Sequence, residues 1–138
     1  MRSLLALAFA LALACAGGRI PLGDPPIDWE GIGERWSLHI VTRDPDGDER
    51  VTRVWLATLD GVGTLRTGES RWARNLKADP HCRLRVRGVD YATRAEFVTE
   101  REQRVRIDLA FREKYGWQER LLFWEEPGET HDHYLRLR

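Results

Sequence analysis

Lysine is almost missing from this chain. Only Lys77 and Lys114 carry an ammonium group, and arginine supplies the rest of the 22 basic residues. Aspartate and glutamate also number 22, so the formal net charge is zero. A chain with no excess of positive charge lacks the electrostatic footprint of a nucleic-acid binder, and no such partner is expected. Long apolar runs are also missing. The longest, Leu4 to Ala14, is far short of the about 20 residues that a membrane-spanning helix needs. There is no Ser-His-Asp signature, no Walker-type loop and no paired-carboxylate motif, so hydrolase and kinase readings have no support. Internal repeats and a second domain are absent too.

Cysteine occurs only at Cys15 and Cys82. Cys15 closes an address label. Arg2 is its charged start, Leu4 to Ala14 its apolar stretch, and residues 1–14 read as a signal peptide. Leu-Ala-Leu-Ala-Cys15 resembles the bacterial lipobox. That resemblance implies cleavage before Cys15, lipidation of its sulfur and a membrane-anchored protein. An ordinary secretory signal with a chance cysteine is the alternative. Ala16 stands where an inner-membrane retention signal would place Asp, so the cell envelope on the outer-membrane side is the expected location. Cys82 is then alone, and the exported domain must rely on its core. No His or acid is tied to Cys82 by a recognisable pattern, so it reads as a small packed residue.

Residues 15–28, rich in Gly and Pro, read as a tether, and 29–138 as one domain. Alternation predicts strands over Trp36 to Thr42, Val51 to Leu59, Val62 to Thr67, Cys82 to Arg87 and Tyr91 to Val98. Leu121 to Trp124 and Tyr134 to Leu137 read as closing strands. Asp44-Pro-Asp-Gly-Asp48 and Asp60-Gly61 are hairpin signals. Thr99 and Glu102 have capping-box spacing for a helix that ends at Gly116. Six to seven short antiparallel strands with two short helices predict an α+β fold, a closed or partly open β-barrel.

The segment from Leu65 to Pro80 organises the rest. It reads as a strand end, a glycine turn and a short helix. Thr67, Gly68, Glu69 and Ser70 supply the turn and candidate N-cap groups. Pro80 disfavours helix at Asp79 and stops it. Helical spacing puts Arg71, Arg74 and Asn75 on one side and Trp72 and Leu76 on another. Arg66 sits just upstream. Three arginines, two hydroxyls and a helix N-terminus suit a bound phosphate or carboxylate. The alternative is a solvated helix with ordinary surface arginines.

Val54-Trp-Leu-Ala-Thr58, Thr64-Leu-Arg-Thr-Gly68, Ser70-Arg-Trp-x-Arg-Asn-Leu76, Ala78-Asp-Pro80, Val86-Arg-Gly-Val89 and Phe111-Arg-Glu-Lys-Tyr-Gly116 together resemble the split β-barrel flavin-binding superfamily. The members meant are the pyridoxamine-phosphate-oxidase-like and F420-dependent nitroreductase-type proteins. The resemblance runs from about Trp36 to Leu137. It implies a split barrel, commonly a homodimer, with FMN or the deazaflavin F420 in a groove and a small electrophile as substrate. Carried over, Arg66, Thr67 and Gly68 would meet the cofactor phosphate, with Ser70, Arg71, Arg74 and Asn75 completing the pocket. Backbone groups of the Trp55 to Thr58 strand would face the ring. The cofactor would do the hydride chemistry, so no catalytic side chain is named. A non-catalytic binding or structural lipoprotein on the same barrel is the competing expectation.

Other clusters carry less. His131 and His133 could ligate a metal, but a His-Asp-His in a polar turn is more often solvated, and no third ligand is evident. His39 and His81 are isolated. The six tryptophans mostly read as core filling, with Trp55 or Trp72 the choice for a wall against a planar ligand. Arg83, Arg85 and Arg87 form a basic strand face that either pairs with acids of a neighbouring strand or lines an anion groove.

Overall fold

A computed structural model describes residues 19–138. The expected signal segment and the expected lipidation at Cys15 lie outside the described residues. Among the described residues no helix is long and apolar enough to cross a membrane.

Among the described residues seven antiparallel strands run in the order β2-β1-β5-β6-β7-β4-β3. They are β1 (Leu38–Arg43), β2 (Glu49–Val54), β3 (Ala57–Leu59), β4 (Val62–Thr67), β5 (His81–Val86), β6 (Val89–Phe97) and β7 (His133–Leu137). β6 is long enough to serve two halves. Its residues up to Arg94 pair with β5, and Ala95 to Phe97 pair with β7. β2 and β3 are the two outer edges of the sheet, yet only Trp55 and Leu56 separate them in sequence. That short link brings the edges together and curls the sheet into a half-barrel. The α+β barrel expected from the strand pattern is present.

The expected single strand over Val51 to Leu59 is broken at this link. Leu56 N–H donates to the Tyr115 hydroxyl at 3.2 Å, and that hydroxyl lies 3.1 Å from the Leu56 carbonyl. A backbone unit engaged by a side chain leaves the ladder. Trp55 then turns against Tyr115, with rings stacked 4.5 Å apart. At Gly63 a Cβ would come within 2.5 Å of the Trp29 ring, so glycine lets the lead-in segment close on β4.

Among the described residues there are four helices where two were expected: α1 (Trp29–Gly33), α2 (Arg71–Ala78), α3 (Arg101–Tyr115) and α4 (Trp117–Leu122). α2 has the predicted limits. The Ser70 hydroxyl accepts from Ala73 N–H at its start, and Asp79 before Pro80 is extended. Leu121 and Leu122, expected in a closing strand, belong to α4. A short apolar run does not distinguish strand from helix. Gly116, at φ +62°, ends α3 and opens α4 without an intervening loop. The predicted capping box is not formed: the N-cap is Glu100, with no side-chain cap.

The main core gathers Ile40, Leu65, Leu76, Leu84, Leu135 and Leu137 inside the barrel. A second cluster of Ile107, Phe111, Tyr115 and Tyr134 seats α3 on β3 and β7. Burial of apolar area at roughly 25 cal/mol per Å² is the main stabilising term in both. Cys82 is buried in the main core, and burial pushes its thiol up to about 12, so it is not a nucleophile at neutral pH.

Candidate functional site

Three sets of residues meet where β4 ends. β4 brings Arg66 and Thr67, α2 brings its N-terminus, and the β2–β3 link brings Trp55. α3 lies across them. Helical spacing puts Asp108, Phe111 and Tyr115 on one buried face of α3.

Arg66 is at the centre. Its side chain is 2% exposed. Nη1 donates to Asp108 Oδ1 at 2.6 Å, and the guanidinium carbon lies 3.9 Å from the Phe111 ring centroid. Nη2 lies 2.5 Å from Glu119 Oε1 of α4, outside hydrogen-bond geometry, and Glu119 Oε2 has no partner among the described residues. Asp108 also accepts from Gly128 N–H at 2.6 Å, Thr130 Oγ1 at 2.8 Å and the Tyr134 hydroxyl at 2.7 Å. Burial works to raise the Asp108 pKa. The hydrogen bonds from Arg66, Tyr134, Gly128 and Thr130 outweigh it and hold the carboxyl below its ordinary value. Glu119 has no such set, and burial pushes its carboxyl up. One guanidinium thus faces two buried carboxyls, of which one is kept ionised and the other driven toward its neutral form.

The seven residues expected to hold a cofactor phosphate fall into three places. Arg66 is enclosed in the acid cluster. Thr67 donates to Ser70 Oγ at 3.2 Å, and Ser70 caps α2, with Gly68 exposed between them. Arg71 and Arg74 line an open groove of about 620 Å³ with Arg43 and Asp44, and neither makes a side-chain ion pair among the described residues. Asn75 is not presented beside them as the spacing predicts. It is buried, donating to Thr42 Oγ1 at 3.0 Å and Asp44 Oδ1 at 2.8 Å, and so ties α2 to β1.

A separate cleft of about 190 Å³ is lined by Trp55, Trp72, Phe111, Phe123 and His131, together with Arg53, Val54, Arg66 and Thr67. Its walls are aromatic on four sides of the chain: the β2–β3 link, α2, α3 and the segment after α4. It is smaller than the roughly 300–1,000 Å³ typical of small-molecule pockets, so it suits one face or edge of a ring system. The backbone of the β2–β3 link is not open to a ligand at Leu56. Its carbonyl accepts from Lys114 Nζ as well as lying beside the Tyr115 hydroxyl. Burial lowers Lys114 to about 8.

His131 and His133 do not share a site. His131 sits against Phe123 with centroids 4.4 Å apart, and burial lowers its pKa to about 4. His133 lies 2.8 Å from Glu69 at the surface. Glu119, Thr130 and Tyr134 carry no local sequence signal of this cluster. Asp108 did leave a signal. It interrupts the apolar face of Ile107 and Phe111, where an acid needs a buried cation.

No protein-family model matches the sequence, and no curated protein matches it. Solved structures do match. The heme-storage protein HutZ from Vibrio cholerae superposes with a TM-score of 0.60 at 17% identity, covering 76% of this chain and 82% of that one. An F420-H2-dependent reductase, FDR-A, gives 0.55 at 14% identity, covering 75% and 95%. The conserved protein Rv2991 from Mycobacterium tuberculosis gives 0.57 at 20% identity, covering 79% and 74%. These neighbours are split-barrel proteins of the pyridoxamine-phosphate-oxidase-like type. The chain has their fold. At these identities the likeness concerns the fold alone.

Proposed function

We propose that this protein binds a planar flavin-type cofactor, FMN or the deazaflavin F420, and belongs among oxidoreductases acting on a small electrophile. The observation that carries this is the aromatic cleft of Trp55, Trp72, Phe111 and Phe123 on a split barrel, beside a helix whose Arg71 and Arg74 make no ion pair among the described residues. When bound, such a cofactor supplies hydride chemistry. The chain's own part is to stack the ring, exclude water from one of its faces and hold an anionic group on Arg71 and Arg74. Arg66 does not fit a phosphate ligand, because Asp108 and Glu119 already surround its guanidinium. Its part is to fix α3 and α4 behind the cleft. The small volume of the cleft favours completion of the site by a second copy, so a homodimer is part of the proposal. Anchorage to the cell envelope through lipid on Cys15 is a further part and rests on the lipobox resemblance.

A second reading has a specific observation in its favour. With Arg66 sealed and Leu56 engaged by Tyr115 and Lys114, the barrel suits a non-catalytic binding lipoprotein. Absorbance and fluorescence titration of the purified protein with FMN and with F420 separates the two. Saturable binding that quenches tryptophan fluorescence and weakens in Arg71→Ala and Arg74→Ala supports the cofactor reading. No binding of either at concentrations well above micromolar leaves the scaffold reading.

A further inference from the structure

A second groove lies on the outer face of β1, β2 and β5, away from α2. Its volume is about 450 Å³, and its lining includes Arg35, His39, Arg53, Arg85 and Arg87. The register explains the cluster. His39 is paired with Arg53 of β2 on one side and with Arg85 of β5 on the other. Side chains directly opposite one another share a face, so Arg53, His39 and Arg85 form a row across three strands. Arg87 follows Arg85 by two residues and extends the row into the β5–β6 turn.

Charge compensation here is incomplete. Asp90 takes Arg85 through two bonds of 2.7 and 3.0 Å, and it also lies 2.9 Å from Arg83 Nε. Arg83 leans the other way, to Glu49. Arg35, Arg53 and Arg87 make no ion pair among the described residues, and Arg53 Nε donates only to Ser37 Oγ at 2.8 Å. Arg53 and Arg85 flank His39 on one face of the sheet, and of the two arginines only Arg85 has an acid partner, Asp90.

The turn supplies an independent observation. Arg87 and Gly88 have φ of +51° and +74°, and Asp60 and Gly61 have +53° and +75°. Both pairs link strands through two residues, the tight hairpin turn that favours Asn, Asp or Gly at its first position. Asp60 obeys this rule. Arg87 breaks it, holding a long side chain in the left-handed region. A strained residue that adds one more guanidinium to an incompletely compensated row is the kind of departure found at binding sites.

We propose that this groove is an anion site for a ligand carrying at least two neighbouring phosphate groups, held by Arg35, Arg53 and Arg87 with Arg85 and His39 beside them. Several forked guanidiniums match adjacent phosphates better than a single carboxylate. The ligand is either a soluble phosphate compound or the headgroups of an anionic lipid surface. The proposal goes beyond the cofactor reading and does not rest on it; Arg53 also lines the aromatic cleft, so Arg87, which lines this groove and not the cleft, carries the distinction.

The test is calorimetric titration of the full chain with inorganic pyrophosphate at low ionic strength. Wild type, Arg53→Gln and Arg87→Gly are compared, with thermal melting alongside. Saturable binding is expected, tighter than for inorganic phosphate and weakened by added salt. Each substitution should weaken it about tenfold or more. Arg87→Gly should also melt no lower than wild type, since glycine adopts this turn freely. Co-sedimentation with phosphatidylglycerol and phosphatidylcholine vesicles identifies the source. Capture by phosphatidylglycerol alone, lost in the same variants, assigns lipid headgroups; pyrophosphate binding without capture assigns a soluble ligand. The proposal is overturned if pyrophosphate does not saturate at millimolar concentration and vesicle capture is unchanged by the variants. It is equally overturned if Arg87→Gly binds pyrophosphate as wild type does, whatever Arg53→Gln does.

Discussion

Arg66 and Asp108 are 42 residues apart in sequence and meet at 2.6 Å, with side chains 2% and 0% exposed. This contact joins the end of β4 to the middle of α3. Glu119 approaches the same guanidinium from α4, so one side chain fixes two helices on the barrel. The arrangement makes Arg66 a structural residue first. Removing it leaves one ionised carboxylate buried without its cation. Arg66→Ala should therefore destabilise the protein by about 3–5 kcal/mol in urea unfolding, the usual cost of breaking a buried pair from one side. A loss near zero would mean that water reaches Asp108 and that the cluster is not closed.

Arg71 and Arg74 should behave in the opposite way. Both residues are exposed and make no ion pair among the described residues, so replacing either with Ala should change stability by no more than about 0.5 kcal/mol. If they hold the anionic group of a cofactor, each substitution should weaken FMN or F420 binding about tenfold. The contrast with Arg66 matters for experiment. Loss of binding in Arg66→Ala alone would report unfolding as readily as a lost ligand contact, whereas loss in Arg74→Ala with an unchanged melt reports the site.

Much of the frame was legible because its signals are local. Alternation through Cys82, Leu84 and Val86 marks a strand buried on one face, and Ser70 and Pro80 bracket α2 by capping chemistry and steric exclusion. Asp60-Gly61 specifies its hairpin through backbone preference. What was not legible depends on partners distant in sequence. The break at Leu56 comes from Tyr115, 59 residues away. The enclosure of Arg66 comes from acids on two helices, one of which reads as a strand from its leucines. Asn75 has helical spacing beside Arg71 and Arg74, yet its amide is turned inward by Thr42 and Asp44. Spacing gives the face of a residue, and buried hydrogen-bond partners decide where its side chain ends.

Tyr115 offers a separate test of the β2–β3 link. Its hydroxyl accepts from Leu56 N–H and lies 2.8 Å from the Trp36 carbonyl. Tyr115→Phe keeps the ring stacked on Trp55 and removes only the oxygen. The buried Leu56 N–H then loses its partner, which should cost about 1–3 kcal/mol. Amide hydrogen exchange at Leu56 should accelerate more than exchange at Leu84 in the barrel core. Equal protection at Leu56 in the variant and the wild type would show that the link is held by other means.

His131 should make the protein acid-sensitive in a defined window. Burial lowers its folded pKa to about 4, against 6.5 for the exposed group. The folded state therefore prefers the neutral ring. As pH falls below 6.5 the unfolded chain takes up the proton first, and stability is lost until about pH 4, where both states are protonated. The loss from this one group is at most about 3 kcal/mol. Glu119, with a raised pKa, works in the reverse direction: its burial costs stability as pH rises above its ordinary value of 4.5. Asp108, held low, loses its contribution only as pH falls below 3.8. Comparing wild type with His131→Gln at each pH separates these terms. Urea unfolding at pH 7.5, 5.5 and 4.5 should show wild type losing stability across the series faster than His131→Gln does. Parallel pH curves for the two proteins would mean that His131 is not buried against Phe123 in solution. The outer wall of the aromatic cleft would then be open, and the ring-binding surface would be reduced to Trp55, Trp72 and Phe111.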